Sequence, residues 1–222
     1  MISKESLKFL DDLKQNNNRD WFQSQKVRYD SYKKEYYQLV QDFLDNMKSK
    51  DESLRNLEVK NCVFRVNRDI RFTKDKSPYK THMGIWMSPG TKNTNLAGYY
   101  IHIEKGASFI AAGVYSPEND DLKKIRKEIA FFYDELETIV NDKKFKDAFG
   151  ELDRNNSLKN APKDFEKNHA AIEFLKLKSF TASDKIDDKL FSDPDFVKKI
   201  SEKLILLKPL MQFLNRALTI EE

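Results

Sequence analysis

The stretch LAGYYIHIEKGASFIAAGVY, residues 96–115, decides the fold. It reads as two strands, 96–104 and 107–115, joined by a turn at Glu104-Lys105-Gly106-Ala107. Side chains alternate across a strand, so Tyr99, Ile101 and Ile103 take one face and Tyr100, His102 and Glu104 the other. Just upstream, 83–88 reads as another strand. The period of two also runs from Cys62 to Phe72, with Cys62, Phe64, Val66, Ile70 and Phe72 on one side and Arg65, Asn67, Asp69 and Arg71 on the other. Arg68 breaks that pattern, because alternation points its charge to the apolar side. Gly84, Gly90, Gly98, Gly106 and Gly113 fall in this same region, where turns and strand bends use them.

Outside the middle third the period becomes helical. Ser3 suits the N-cap of a short helix in which Leu7, Leu10 and Leu13 share a face, and Asn16-Asn17-Asn18 breaks it. A helix over 19–48 follows, with Tyr29, Tyr32, Tyr36, Leu39, Val40, Phe43 and Met47 at spacings of three and four. Trp21 and Phe22 at its start read as a hydrophobic staple for the preceding helix. Ser116-Pro117-Glu118 opens another helix, striped by Leu122, Ile125, Ile129, Phe132, Leu136 and Ile139. Short helices are expected near 142–149 and 169–177. Asp193-Pro194 starts a last one, which Pro209 should kink. The expectation is α+β: one domain over residues 1–222, its mainly antiparallel sheet drawn from about 61–115, flanked by long amphipathic helices from both ends.

Composition narrows the function classes. Of 222 residues, 34% are charged, yet the net charge is only +4. Arg65, Arg68, Arg71, Lys74, Lys76 and Lys80 against Asp69 and Asp75 account for all of that excess within residues 65–82. So small an overall excess argues against indiscriminate coating of nucleic acid. The lone Cys62 excludes an internal disulfide and any multi-cysteine metal site. Residues 1–20 lack a secretory apolar core, and no apolar run approaches the roughly 18 residues a membrane helix needs. A cytoplasmic protein with no membrane association is expected. No dinucleotide, P-loop, zinc-protease or nucleophile-elbow motif occurs.

The basic segment is therefore the place to seek chemistry. Arg65, Asn67, Asp69 and Arg71 would project in one row at about 6.6 Å intervals, and arginine forks suit phosphate or carboxylate. Arg68, on the apolar side, needs either an ion-pair partner or a polar cavity. Arg65, Arg68, Arg71, Lys76, Tyr79 and Lys80 are the candidate ligand contacts. Asp69, Asp75, Tyr79, His82 and His102 are the candidates for acid–base work, with no catalytic assignment made among them. No cofactor is expected and no metal site is assigned. A sheet that joined His82 to His102, with Asp69 or Asp75 as third ligand, is the weaker reading, because no spacing demands it. A small anionic ligand is the leading partner and nucleic acid a lesser one. A structural reading stays open, in which the arginines tie sheet to helices through acids such as Glu118, Asp120 or Asp121. The oligomeric state is not legible.

The run Arg65-x-x-Arg68-Asp69-x-Arg71-Phe72-x-x-Asp75-Lys76-x-Pro78-Tyr79-Lys80 resembles the hallmark of the bacterial DUF2461 family, whose members are of about this length. Asn18-Arg19-x-Trp21-Phe22, Gly98-Tyr99-Tyr100-x-His102, Gly113-x-Tyr115-x-Pro117 and Arg126 are similar to its recurrent blocks, so the resemblance spans nearly the whole chain. It implies that the central motif is functional, and it brings no substrate, cofactor or catalytic residue with it. One departure stands out. Where the family pattern reads Pro-Arg-Gly-Phe, this chain has Ala161-Pro162-Lys163-Asp164-Phe165 and lacks the glycine.

Overall fold

Helix α1 (Lys4–Gln15) is capped by Ser3, whose hydroxyl accepts from the Ser6 backbone N–H at 3.0 Å. Glu35 then fastens this end, accepting from the Ser3 N–H, the Ser3 hydroxyl and the Ser6 hydroxyl. After α1 come α2 (Arg19–Ser24), α3 (Lys26–Lys48), a 3-10 turn at Glu52–Leu54 and α4 (Val59–Cys62). The middle of the chain forms β1 (Met83–Met87), β2 (Gly98–Ile103) and β3 (Phe109–Val114). Helices α5 (Asn119–Phe131), α6 (Tyr133–Asn141), α7 (Lys143–Phe149) and α8 (Ile172–Leu175) precede β4 (Phe180–Lys185), and α9 (Phe196–Leu204) and α10 (Lys208–Thr219) close the chain. This computed structural model describes residues 2–90 and 94–219. The fold is α+β, with a single antiparallel sheet in the order β1-β2-β3-β4. No helix among the described residues is long and apolar enough to cross a membrane.

Two compact units can be distinguished. One holds the chain up to Met87 together with Tyr100–Ile110 and Lys185–Ser201. Its core is made by Phe9, Leu10 and Leu13 of α1, the Tyr32-Tyr36-Leu39-Val40-Phe43-Met47 stripe of α3, and Met83, Ile85 and Met87 of β1. Phe43 meets Phe196 edge-on at 5.7 Å. Each such fully buried side chain stabilises the fold by about 1.5–3 kcal/mol. The other unit holds Ser88–Tyr99, Ala111–Asp184 and the chain from Glu202 onward. Ile125 and Ile129 of α5, Leu136 of α6, Phe145 of α7, Phe180 and Ala182 of β4 and the apolar face of α10 are buried there. Its one buried carboxylate among the described residues is Glu128, which pairs with Arg216, and that guanidinium also reaches Glu135 at 2.6 Å.

Several expectations are corrected. Residues 62–72 form no regular strand: Cys62 ends α4, and only isolated pairings follow, Val63 with Ile85 and Asn67 with Tyr79. Asp69 and Asp75 explain part of this, because their carboxylates accept from the backbone N–H groups of Arg71 and Ser77 and so compete with a ladder. The exposure alternation nevertheless persists, with Arg65, Asn67 and Asp69 outside and Val66, Arg68 and Ile70 half-buried. The helix expected over 19–48 breaks at Gln25, letting Trp21 stack on Phe9 while Phe22 stacks on Tyr79. Phe9 takes the buried place expected of Leu7. The fifth helix starts two residues late, capped at Glu118, because Ser116 adopts φ 47° and bonds the Ser179 hydroxyl. It also ends at Phe131, with Phe132 as the cap it shares with α6. Pro209 produces no bend inside a helix. A 3-10 turn at Ile205–Leu207 resets the chain, leaving Pro209 in the first turn of α10, where its missing N–H costs nothing.

Candidate functional site

Residues 63–84 are held against α3 by one hydroxyl. Tyr36, buried in the first unit, donates to the Gly84 carbonyl at 2.5 Å and accepts from the Phe64 N–H at 3.1 Å. It stands where a ladder bond between the two segments would run. Burial raises its pKa well above the ordinary phenol value, so it remains a donor at all ordinary pH. Gly84 sits in a tight place, since a Cβ there would lie 3.1 Å from the Tyr100 hydroxyl and 3.2 Å from the Phe64 ring.

Further along, Arg68 N–H donates to the Pro78 carbonyl and Lys80 N–H to the Val66 carbonyl, both at 2.8 Å. The segment therefore doubles back as a narrow extended pair with residues 69–77 as its loop. Asn17 clamps the return arm, accepting from Tyr79 N–H and donating to Tyr79 C=O. The Tyr79 ring is buried and stacks on Phe22 at 4.0 Å.

Within the loop most charges are already answered. Arg68 Nη1 donates to Asp75 Oδ2 at 2.5 Å and to the Ser77 carbonyl at 3.1 Å. Its partner is thus a neighbour in the same loop, not Glu118, Asp120 or Asp121. Arg71 grips Asp69 in a bidentate fork at 2.7 and 3.0 Å. Lys76 donates to the Ile70 carbonyl at 2.9 Å. The Ser77 hydroxyl and N–H, then Arg68, hold Asp75 far below the usual carboxylate range, and Arg71 lowers Asp69. Both acids stay ionised and engaged. At the tip Phe72 is 94% exposed, with Arg71 over its ring.

Arg65 differs. Its exposed guanidinium has no hydrogen-bond or ion-pair partner among the described residues, and it lines a cavity of about 300 Å³. Lys33, Tyr36 and Tyr37 of α3 make one wall, and Phe64, Lys80 and His82 contribute to the other. Lys80 Nζ is fixed by the carbonyls of Arg65 (2.8 Å) and Asn67 (3.4 Å) above the Phe64 ring. Among the described residues no carboxylate lines this cavity. Lys33 and Tyr37 escaped the sequence reading, although the three-and-four spacing of the α3 tyrosines was the signal that would have found them.

Beside it lie the two central histidines. The His82 and His102 rings are 4.2 Å apart between centroids, and His102 stacks on Phe109 at 4.9 Å. Glu104 Oε2 is 3.3 Å from His102 Nε2, while Glu104 Oε1 accepts from Lys14 at 2.8 Å. Tyr100 hydroxyl is 3.1 Å from His102 Nδ1. Burial, then the neighbouring His102, lowers the His82 pKa to about 4, so this ring is neutral at physiological pH. Burial pushes Glu104 up, but Lys14 and His102 outweigh it and leave the carboxylate below its usual value. The sheet thus joins His82 to His102, yet the acid beside them is Glu104 and neither Asp69 nor Asp75. Its alternation with Tyr100 and His102 on β2 was visible in the sequence.

The second unit carries its own concavity, near 400 Å³, lined by Ser116, Leu122, Arg126, Asn156 and Lys178 among others. Arg126 donates to the Leu177 carbonyl at 3.1 Å, and its Nε is buried without a hydrogen-bond partner among the described residues.

No curated protein and no solved structure matches the chain. A family model does: that of DUF2461, described as a conserved hypothetical protein, covers residues 5–213, and the chain belongs to this family.

Proposed function

We propose that the cavity between the tyrosine face of α3 and residues 64–84 binds a small anionic ligand, phosphate-bearing or carboxylate, in the cytoplasm. One observation carries this reading: among the described residues the cavity gathers Lys33, Arg65 and Lys80 with no acid in its lining, and the Arg65 guanidinium makes no hydrogen bond or ion pair. An unanswered guanidinium against an aromatic wall offers a bidentate fork to an anion and a flat surface to whatever the anion is attached to. Arg65 and Lys80 are the direct contacts in this scheme, and Lys33 adds charge from α3. Arg68, Arg71 and Lys76 act one step back by holding the 69–77 loop, with Tyr79 anchoring its base.

Calorimetric titration with inorganic phosphate, a nucleoside monophosphate and a dicarboxylate tests the reading, comparing wild type with Arg65→Ala. A charge-assisted hydrogen bond contributes about 1.5–3 kcal/mol, so the variant should bind about 10- to 100-fold more weakly while keeping its fold. Equal affinity in both proteins would defeat the proposal. A short oligonucleotide in the same series, with affinity falling steeply as salt rises, would replace the small ligand by nucleic acid.

A further inference from the structure

We infer that His82, His102 and Glu104 form a binding site for one divalent first-row transition-metal ion of the zinc class. One ring nitrogen from each histidine and one carboxylate oxygen of Glu104 lie within 4.8 Å of one another, and all three residues are half-buried. Metal–nitrogen and metal–oxygen bonds of about 2.0–2.2 Å around a tetrahedral ion put neighbouring ligand atoms about 3.3 Å apart. The His102 Nε2 to Glu104 Oε2 separation is 3.3 Å.

The surroundings match what a metal-ligating set requires. The Tyr100 hydroxyl lies 3.1 Å from Nδ1 of His102, so it can accept the Nδ1–H proton when Nε2 coordinates an ion. Phe109 holds the plane of the same ring. Lys14 occupies only Oε1 of Glu104, so Oε2 is turned to the histidines as a single-oxygen ligand. Two imidazoles and one carboxylate suit zinc and its neighbours and do not suit calcium or magnesium, which want oxygen alone. Three protein ligands leave a fourth position for water or a ligand atom. His82 also lines the cavity with Arg65 and Lys80, so an ion held here would stand at its wall. The inference does not rest on the anion-binding reading.

Chelator-treated full-length protein is titrated with Co²⁺, read by its visible absorption, and then with Zn²⁺ in competition with a chromophoric chelator. One equivalent should bind, with the intense bands of a four- or five-coordinate ion. Glu104→Gln keeps the shape of the side chain and should weaken Zn²⁺ binding at least about 100-fold, the upper end of what even an outer partner costs. Tyr100→Phe should weaken it about tenfold, and Arg65→Ala should leave it unchanged. His102→Ala should abolish binding; if it fails to fold, Glu104→Gln decides alone. Zinc affinity equal in wild type and Glu104→Gln, or no saturable Co²⁺ spectrum, overturns the site. Because Arg65→Ala reports on the anion and Glu104→Gln on the metal, either reading can fail without the other.

Discussion

Tyr36→Phe removes a single oxygen, and its consequence can be worked from two hydrogen bonds. The ring is 5% exposed, so neither bond is replaced by bulk water. Without the hydroxyl the Gly84 carbonyl loses its 2.5 Å donor and the Phe64 N–H its 3.1 Å acceptor. A buried backbone group left unsatisfied costs about 1–3 kcal/mol, so two cost about 2–6 kcal/mol. For a chain of this size 1 kcal/mol moves the melting temperature by about 2–4 °C, and a loss of about 3 kcal/mol lowers it by about 6–12 °C. The assay is thermal and urea unfolding by circular dichroism of wild type, Tyr36→Phe and Tyr37→Phe. Tyr37 is 39% exposed and its hydroxyl has no hydrogen bond among the described residues, so its variant should stay within about 0.5 kcal/mol of wild type. A Tyr36→Phe protein as stable as Tyr37→Phe would refute the claim that this hydroxyl fastens residues 63–84 to α3.

Two further outcomes follow from local geometry. Gly113 has φ 131°, and a Cβ there would fall 1.9 Å from the Phe180 carbonyl oxygen, so Gly113→Ala should force β3 from β4 and cost about 3 kcal/mol or more in the same unfolding assay. The Asp75 pKa is depressed in the fold, so the unfolded chain takes up its proton first as pH falls. Its stabilising contribution is complete above the ordinary carboxylate pKa near 3.8 and is lost below it. The Ser77 amide resonance should therefore hold its position from neutral pH down through 3.8, whereas a midpoint close to 3.8 would disprove the Arg68–Asp75–Ser77 closure.

Much of the frame was readable in advance because it depends on short-range periodicity. Burial along β2 follows the alternation of Tyr99, Ile101 and Ile103 against Tyr100 and His102, and the α3 stripe from Tyr32 to Met47 is buried as its spacing implies. Strand β4 was not legible. In Phe180-Thr181-Ala182-Ser183 only Phe180 is strongly apolar, and what makes the segment a strand is pairing with β3, more than sixty residues earlier in the chain. The misread strand at 62–72 has the opposite cause. Its alternation is real, but side-chain carboxylates capture the backbone donors that a ladder would use.

The candidate site divides along the same line. The sequence by itself determined that the charge excess lies in residues 65–82, that His102 and Glu104 share a strand face, and that the chain resembles DUF2461. Such facts need only neighbouring residues. Asp69 and Asp75 answer Arg71 and Arg68 within one loop, whereas the cavity that Arg65 shares with Lys33 was decided by the tertiary structure alone. His82 reaches His102 only because the chain running into β1 lies beside β2. Electrostatic pairing and ligand geometry fall off over a few ångströms, and no spacing along the chain encodes which distant residues come that close.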